Sequence, residues 1–218
     1  MGRGKLIVIE GLDSVGKRTQ CKLISERMKK EGMKVETISF PTYETRFGKL
    51  VRDYLDGKFG KKEEVSAEIS SILYALDRYQ HSEEIEGKLE KGISIIADRY
   101  SQSNAYQIAK VKEDEREELM KWQKNLESRL PPADAVVFLD MEVETARKLL
   151  NERAQSSGRK TDIHEKDENF QIEVRSVYLK EAQKEKWIVI SCSEKGKLKN
   201  KEEIADRIYG ALKEKRII

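Results

Sequence analysis

Cysteine, proline, histidine and long apolar runs are all scarce in this sequence. Its 218 residues include two cysteines, three prolines and two histidines. Cys21 and Cys192 are too far apart to pair as metal ligands, and two free thiols suit a reducing compartment, with the cytoplasm as the default address. No apolar stretch approaches the ~20 residues of a membrane-spanning helix. The opening "KLIVIE" is only strand-length, so no signal peptide is expected. A surplus of one charge is lacking too: 43 Lys and Arg nearly balance 40 Asp and Glu, for a net +3. A general nucleic-acid binder is usually more lopsided. No Ser-His-Asp or paired-carboxylate constellation is present, and His81 and His164 read as structural.

Charge of both signs is plentiful. Charged residues make up 38% of the chain, against about 25% in ordinary soluble proteins. Interleaved Lys and Glu of this kind make solvated helix faces. The hydrophobic 38% is enough for one sizeable core, and the length suits a single domain over residues 1–218 with a mobile segment.

Apolar strand-like runs alternate with longer helical stretches. The runs are "KLIVIE" (5–10), "KVETIS" (34–39), "ISIIAD" (93–98), "DAVVFLD" (134–140) and "WIVIS" (187–191). Helices are expected over about 17–31, in two or three pieces over 45–90, from 99 to about 128, over 142–155 and over 201–213. This rhythm predicts an α/β three-layer fold with a five-stranded parallel sheet and helices on both faces. One polar segment, "RAQSSGRKTDIHEKDE" (153–168), which carries Arg153, Arg159 and Lys160, breaks the pattern and reads as a mobile loop between two helices.

Between the first strand and first helix lies "GLDSVGKRTQ" (11–20). Gly11, Gly16 and Lys17 match the phosphate-loop pattern Gly-x4-Gly-Lys, but Arg18 stands where Ser or Thr is usual, and the hydroxyl arrives one residue late at Thr19. A strand, a glycine turn and a helix start form an anion site, because backbone N–H groups and the helix dipole point at it. A second site should lie outside the carboxyl ends of the strands, where "FPTY" (40–43), "YALDRYQH" (74–81) and "DRYSQSNAYQ" (98–107) fall. Taken singly, each has a structural reading: Phe40 as a core plug, Arg78 paired with Asp77 or Glu84, Asp98 paired with Arg99.

Together these stretches resemble the thymidylate kinase family of P-loop nucleoside monophosphate kinases. The resemblance runs nearly the whole chain and extends to "GKLVRDYLDG", "LDMEVETARKLL" and "DIHEKDENFQIEVRSVYL". It implies transfer of phosphate from ATP to dTMP with magnesium, a mobile lid at about 153–165, and a homodimer. It further implies that Gly11, Leu12, Asp13, Ser14, Val15, Gly16, Lys17, Arg18 and Thr19 cradle ATP. Asp13 would meet the acceptor sugar, Phe40 would stack on thymine, and Tyr43 would lie near the sugar and phosphate. Arg78 and Asn104 would read the base, and Arg99 would clamp the acceptor phosphate. Asp98 would hold magnesium through water, and Arg153 and Arg159 would reach from the lid to the transferring group. Tyr106 or Gln107 would lie under the sugar. A deoxynucleoside kinase, another pyrimidine monophosphate kinase and a non-catalytic nucleotide binder are the alternatives.

Arg18 is always protonated and cannot ligate a metal. Either Thr19 or Asp98 with waters serves magnesium, or Arg18 adds fixed charge beside the phosphates. If Arg18 adds charge, Arg18→Thr should raise the magnesium concentration needed for half-maximal turnover. An unchanged requirement would mean that Arg18 points away from the phosphates.

Overall fold

Each apolar run forms a strand within about a residue of its expected bounds. The computed structural model describes residues 2–157, 164, 167–194 and 196–218. In chain order the elements are β1 (Leu6–Gly11), α1 (Lys17–Lys30), β2 (Val35–Ser39), α2 (Arg46–Leu55), α3 (Ala67–Tyr79), α4 (Ser82–Glu90), β3 (Ser94–Asp98), α5 (Ala105–Ile108), α6 (Arg116–Leu126), β4 (Ala135–Asp140), α7 (Val143–Ser157), α8 (Glu168–Lys184), β5 (Ile188–Ser191), a short β6–β7 hairpin (Ser193–Glu194 and Lys197–Leu198) and α9 (Lys201–Glu214). None of the described helices is long and apolar enough to cross a membrane.

The sheet is parallel, in the order β2-β3-β1-β4-β5. β1 lies at its centre and is buried along its whole length, as a strand covered on both faces must be. One core layer gathers Ile7, Ile9 and Ile96 with α1, α8 and α9; a second, on the other face, gathers Leu6, Val8, Ile95 and Ala97 with α4. The register sets Ile9 beside Asp98, so the loops that leave β1 and β3 emerge side by side. This is the crevice in which open α/β sheets bind ligands.

The segment after β3 differs from the single helix expected to about 128. It is a 3-10 turn over Ser101–Asn104, the four-residue α5, a second 3-10 turn over Glu113–Glu115, and then α6. Polar side chains in the first turn have partners outside it. Ser103 donates to Glu10 on β1, and Asn104 donates to Glu127 beyond α6. α7 also continues to Ser157, past its expected end.

α2 is capped by Thr45, whose hydroxyl accepts from the Gly48 N–H at 3.1 Å. Gly48 lets this turn press against the loop after β2, since a Cβ there would lie 1.9 Å from the Thr42 carbonyl oxygen. Gly48→Ala should therefore cost more than about 2 kcal/mol. The expected readout is a thermal midpoint lowered by several degrees, and an unchanged midpoint would show that the α2–loop contact is slack.

Candidate active site

The loop from Gly11 to Gly16 reaches its shape through unusual backbone. Gly11 has φ 152°, and a Cβ there would strike the Leu139 carbonyl at 2.9 Å. Gly16 caps α1 at φ 92° with no side-chain cap, which leaves the first N–H groups of the helix for a ligand. Ser14 is a non-glycine residue at positive φ, 63°, and its buried hydroxyl has no partner among the described residues. Lys17 is 7% exposed and folds over the loop, donating to the Gly11 and Leu12 carbonyls at 3.2 and 2.6 Å. Burial lowers the pKa of its ammonium, and the Arg99 charge lowers it further. Arg18 and Thr19 are both exposed on the first turn of α1.

Arg99 faces this loop from the end of β3. Its Nη2 donates to Asp13 Oδ1 at 2.6 Å and to the Tyr106 hydroxyl at 3.3 Å. The Tyr106 hydroxyl in turn donates to Asp13 Oδ2 at 3.0 Å. Burial raises the Asp13 carboxyl pKa, but Arg99, Lys17 and these hydrogen bonds outweigh it and hold the group well below the usual carboxylate range. Asp13 and Arg99 line a pocket together with Tyr43, Tyr74, Tyr106 and His164. His164 is 2% exposed, stacks on Phe170 and packs edge-on against Tyr54 and Tyr106. Burial lowers its pKa to about 3, so it is neutral at physiological pH, as expected for a structural histidine. Roomier clefts open beside Trp187, with about 790 and 1070 Å³ of empty space, but no phosphate-loop residue lines them; chemistry rather than volume marks the site.

Several residues expected in the pocket lie behind it. Phe40 is 4% exposed and packs against His81 and Tyr100, so it offers no free face for stacking. Among the described residues, Tyr43, Tyr74, Tyr106 and His164 supply the aromatic rings that line the pocket. Arg78 is 2% exposed, and its partner is neither Asp77 nor Glu84. It donates to Glu127 at 2.5 Å, to Asn104 at 3.0 Å and to the Tyr100 carbonyl at 3.3 Å. Asn104 is 7% exposed and also bonds Glu127. Arg78 and Asn104 thus clamp the turn after β3 to α3 and do not line the pocket. Gln107 is 1% exposed and does not line the pocket, so of these two candidates only Tyr106 lines it. Asp98 and Arg99 do not pair with each other. Arg153 falls on α7, and its side chain, like all of Arg159 and most of the expected lid, lies outside the described residues.

The "DRYQH" stretch holds the loop after β2. Asp77 accepts from the Thr42 N–H at 3.0 Å and from the Thr42 hydroxyl at 2.5 Å. Gln80 donates to Asp77 and to the Thr45 hydroxyl, and His81 Nε2 lies 3.1 Å from the Thr42 hydroxyl. Tyr43, carried on this loop, has the Arg52 guanidinium 3.8 Å over its ring.

Sequence reasoning missed Glu10, Ser103, Tyr178 and Tyr74. Glu10 is fully buried and accepts from the Tyr100 N–H, Ser103 and Tyr178. A charge at the end of an otherwise apolar strand was its signal. Tyr74 lies within a quoted stretch, one helical turn before Arg78. Tyr178, on α8, also lies within a quoted stretch, but nothing there tied it to the end of β3.

No three of the described His, Cys, Asp or Glu residues converge as a metal cage. Magnesium does not need one, since it keeps several waters and binds through one or two carboxylates and substrate phosphates. Asp98 ends β3 beside Ile9 in register, at the strand ends next to the loop that leaves β1, a place that fits such a role.

Comparison with known proteins agrees with this geometry. The family described as thymidylate kinase matches residues 9–204. A putative thymidylate kinase, 251L, of Invertebrate iridescent virus 6 is 38% identical over 138 residues, 63% of this chain; the match spans 60% of the viral protein's length. The solved structure of thymidylate kinase from Candida albicans superposes with a TM-score of 0.75 at 27% identity, over 98% of this chain and 93% of that one. With its phosphate loop at the end of β1, Arg99 at the end of β3 and a pocket between them, the chain belongs to the thymidylate kinase family.

Proposed function

We propose that this chain transfers the γ-phosphoryl group of ATP to dTMP, giving ADP and dTDP. The observation that carries this reading is the direct contact between Asp13, on the loop that cradles the donor, and Arg99, at the mouth of the acceptor pocket. Donor and acceptor phosphates are thereby brought to one point. Positioning and charge stabilisation are most of what phosphoryl transfer requires.

Residues 11–19 hold the donor phosphates through backbone N–H groups, with Ser14 Oγ free to donate and Lys17 turning from its loop carbonyls toward the β- and γ-phosphates. Asp98 would hold magnesium through water, and the bound ion would supply positive charge beside the transferring group. Arg99 takes the acceptor phosphate by exchanging part of its contact with Asp13 and Tyr106 for phosphate oxygens, and Arg153 and Arg159 add charge from the lid. Tyr74, Tyr43 and Leu55 wall the thymine, while Asp13 and Tyr106 face the sugar. The family resemblance puts an aromatic ring against the place of a ribose 2′-hydroxyl, and Tyr106, tied to Asp13, fits that role, which favours the deoxynucleotide. The acceptor is a phosphate monoester, already a nucleophile at neutral pH because its second pKa is about 6. No general base is required, and neutral His164 need not act as one.

A deoxynucleoside kinase would need a carboxylate base after β2. The nearest acid there is Glu44, which is exposed and does not line the pocket. The homodimer is supported by α3, which exposes Ile69 and Ile72 at 54% and 40%, an apolar pair suited to a subunit face. Two buried free thiols are consistent with a cytoplasmic setting.

A coupled ADP-release assay with a panel of nucleoside monophosphates tests the reaction. Turnover should be fastest with dTMP, and Lys17→Ala and Arg99→Ala should each lower it at least about a hundredfold, as loss of a preorganised charge does. Phosphorylation of thymidine but not dTMP would overturn the proposal.

A further inference from the structure

We infer that Glu10 is a positioning residue that presets Arg99 for the acceptor phosphate, an inference that rests on the proposed function. Arg99 occupies the left-handed region at φ 70°, costly for a residue with a side chain and kept only where neighbours enforce it. β1 supplies that enforcement at both adjoining peptide groups. The Arg99 N–H donates to the Ile9 carbonyl at 3.0 Å, and the Tyr100 N–H donates to Glu10 Oε1 at 2.9 Å. The chain therefore turns at Arg99 with its next peptide directed back at the Glu10 carboxylate.

The same carboxylate sets the guanidinium indirectly. Ser103 Oγ lies 3.0 and 2.9 Å from the two Glu10 oxygens, and the Tyr178 hydroxyl lies 2.8 Å from Oε2. Burial raises the pKa of the Glu10 carboxyl, and the Arg99 charge and these hydrogen bonds oppose it; as a carboxylate it only accepts, so both hydroxyls direct their protons at it. Their lone pairs are then left for Arg99 Nη1, which reaches Ser103 at 3.3 Å and Tyr178 at 3.5 Å. Glu10 Oε2 itself lies 3.8 Å from Nη1. One edge of the guanidinium is thus seated on two hydroxyls whose orientation Glu10 dictates, and the other edge meets Asp13. Glu10 touches neither substrate in this arrangement and works through Arg99. An isosteric amide replaces it only in part, because an NH2 in the place of Oε2 cannot accept the Tyr178 proton and carries no charge to face the guanidinium.

Two readouts test this, both on full-length chain whose fold is checked by circular dichroism. In steady-state kinetics, Glu10→Gln should lower kcat/KM for dTMP at least about tenfold, leave KM for ATP within twofold, and have little further effect in an Arg99→Ala background. A merely structural role would instead give equal losses in both backgrounds or raise both KM values, and either result overturns the inference. The second readout needs no turnover. The Arg99 guanidinium N–H signals in an NMR spectrum should show hindered rotation in the natural chain and averaging in Glu10→Gln, and identical signals overturn the inference. A natural chain that phosphorylates no acceptor would refute the proposed function, and the NMR comparison would still decide the role of Glu10.

Discussion

The ion pair between Arg99 and Asp13, 2.6 Å long, joins the loop that follows β1 to the turn that follows β3. Neither residue reaches the other without the parallel register that sets Ile9 beside Asp98. Taking two charges out of water is expensive, and a pair of this kind is retained only where further hydrogen bonds complete it. Here Tyr106 serves both members, while Ser103, Tyr178 and buried Glu10 serve Arg99 from behind. The left-handed turn at Arg99 belongs to the same arrangement, because it lets the next N–H bind Glu10.

Around this pair, buried polar groups shape the acceptor pocket from outside it. Arg78, Glu127 and Asn104 clamp the turn after β3, and Asp77 with Gln80 and His81 fixes the loop after β2. The thymidylate kinase motifs of this chain thus divide their labour. Some side chains face the pocket, and an equal concern of the motif is to hold those side chains still. Fully satisfied networks of this kind specify one arrangement, and partial ones would be costly in so dry a setting.

The strands were readable from the sequence because apolar runs of four to six residues between glycine and charge have few other ways to be buried. β1, β3 and β4 fall within a residue of expectation, and so does the start of α1 after Gly16. The broken helix after β3 was not readable, since Ser103 and Asn104 leave the local backbone for Glu10 and Glu127, partners far away in sequence. The same non-local pairing explains why Arg78 and Phe40 were legible as members of the site but not as its second layer. Motif spacing places a residue near a crevice; only packing decides whether it faces in or out. Tyr178, some 79 residues from Arg99, lay within a motif stretch, but only packing brings it to Arg99.

That one point on the molecule receives both phosphates is the claim on which the rest stands. A compound joining adenosine to thymidine through a phosphate chain measures it directly, by isothermal titration calorimetry. One molecule should bind per chain, and ATP and dTMP should each displace it. Displacement by ATP alone, with dTMP still binding beside the compound, would contradict a shared site.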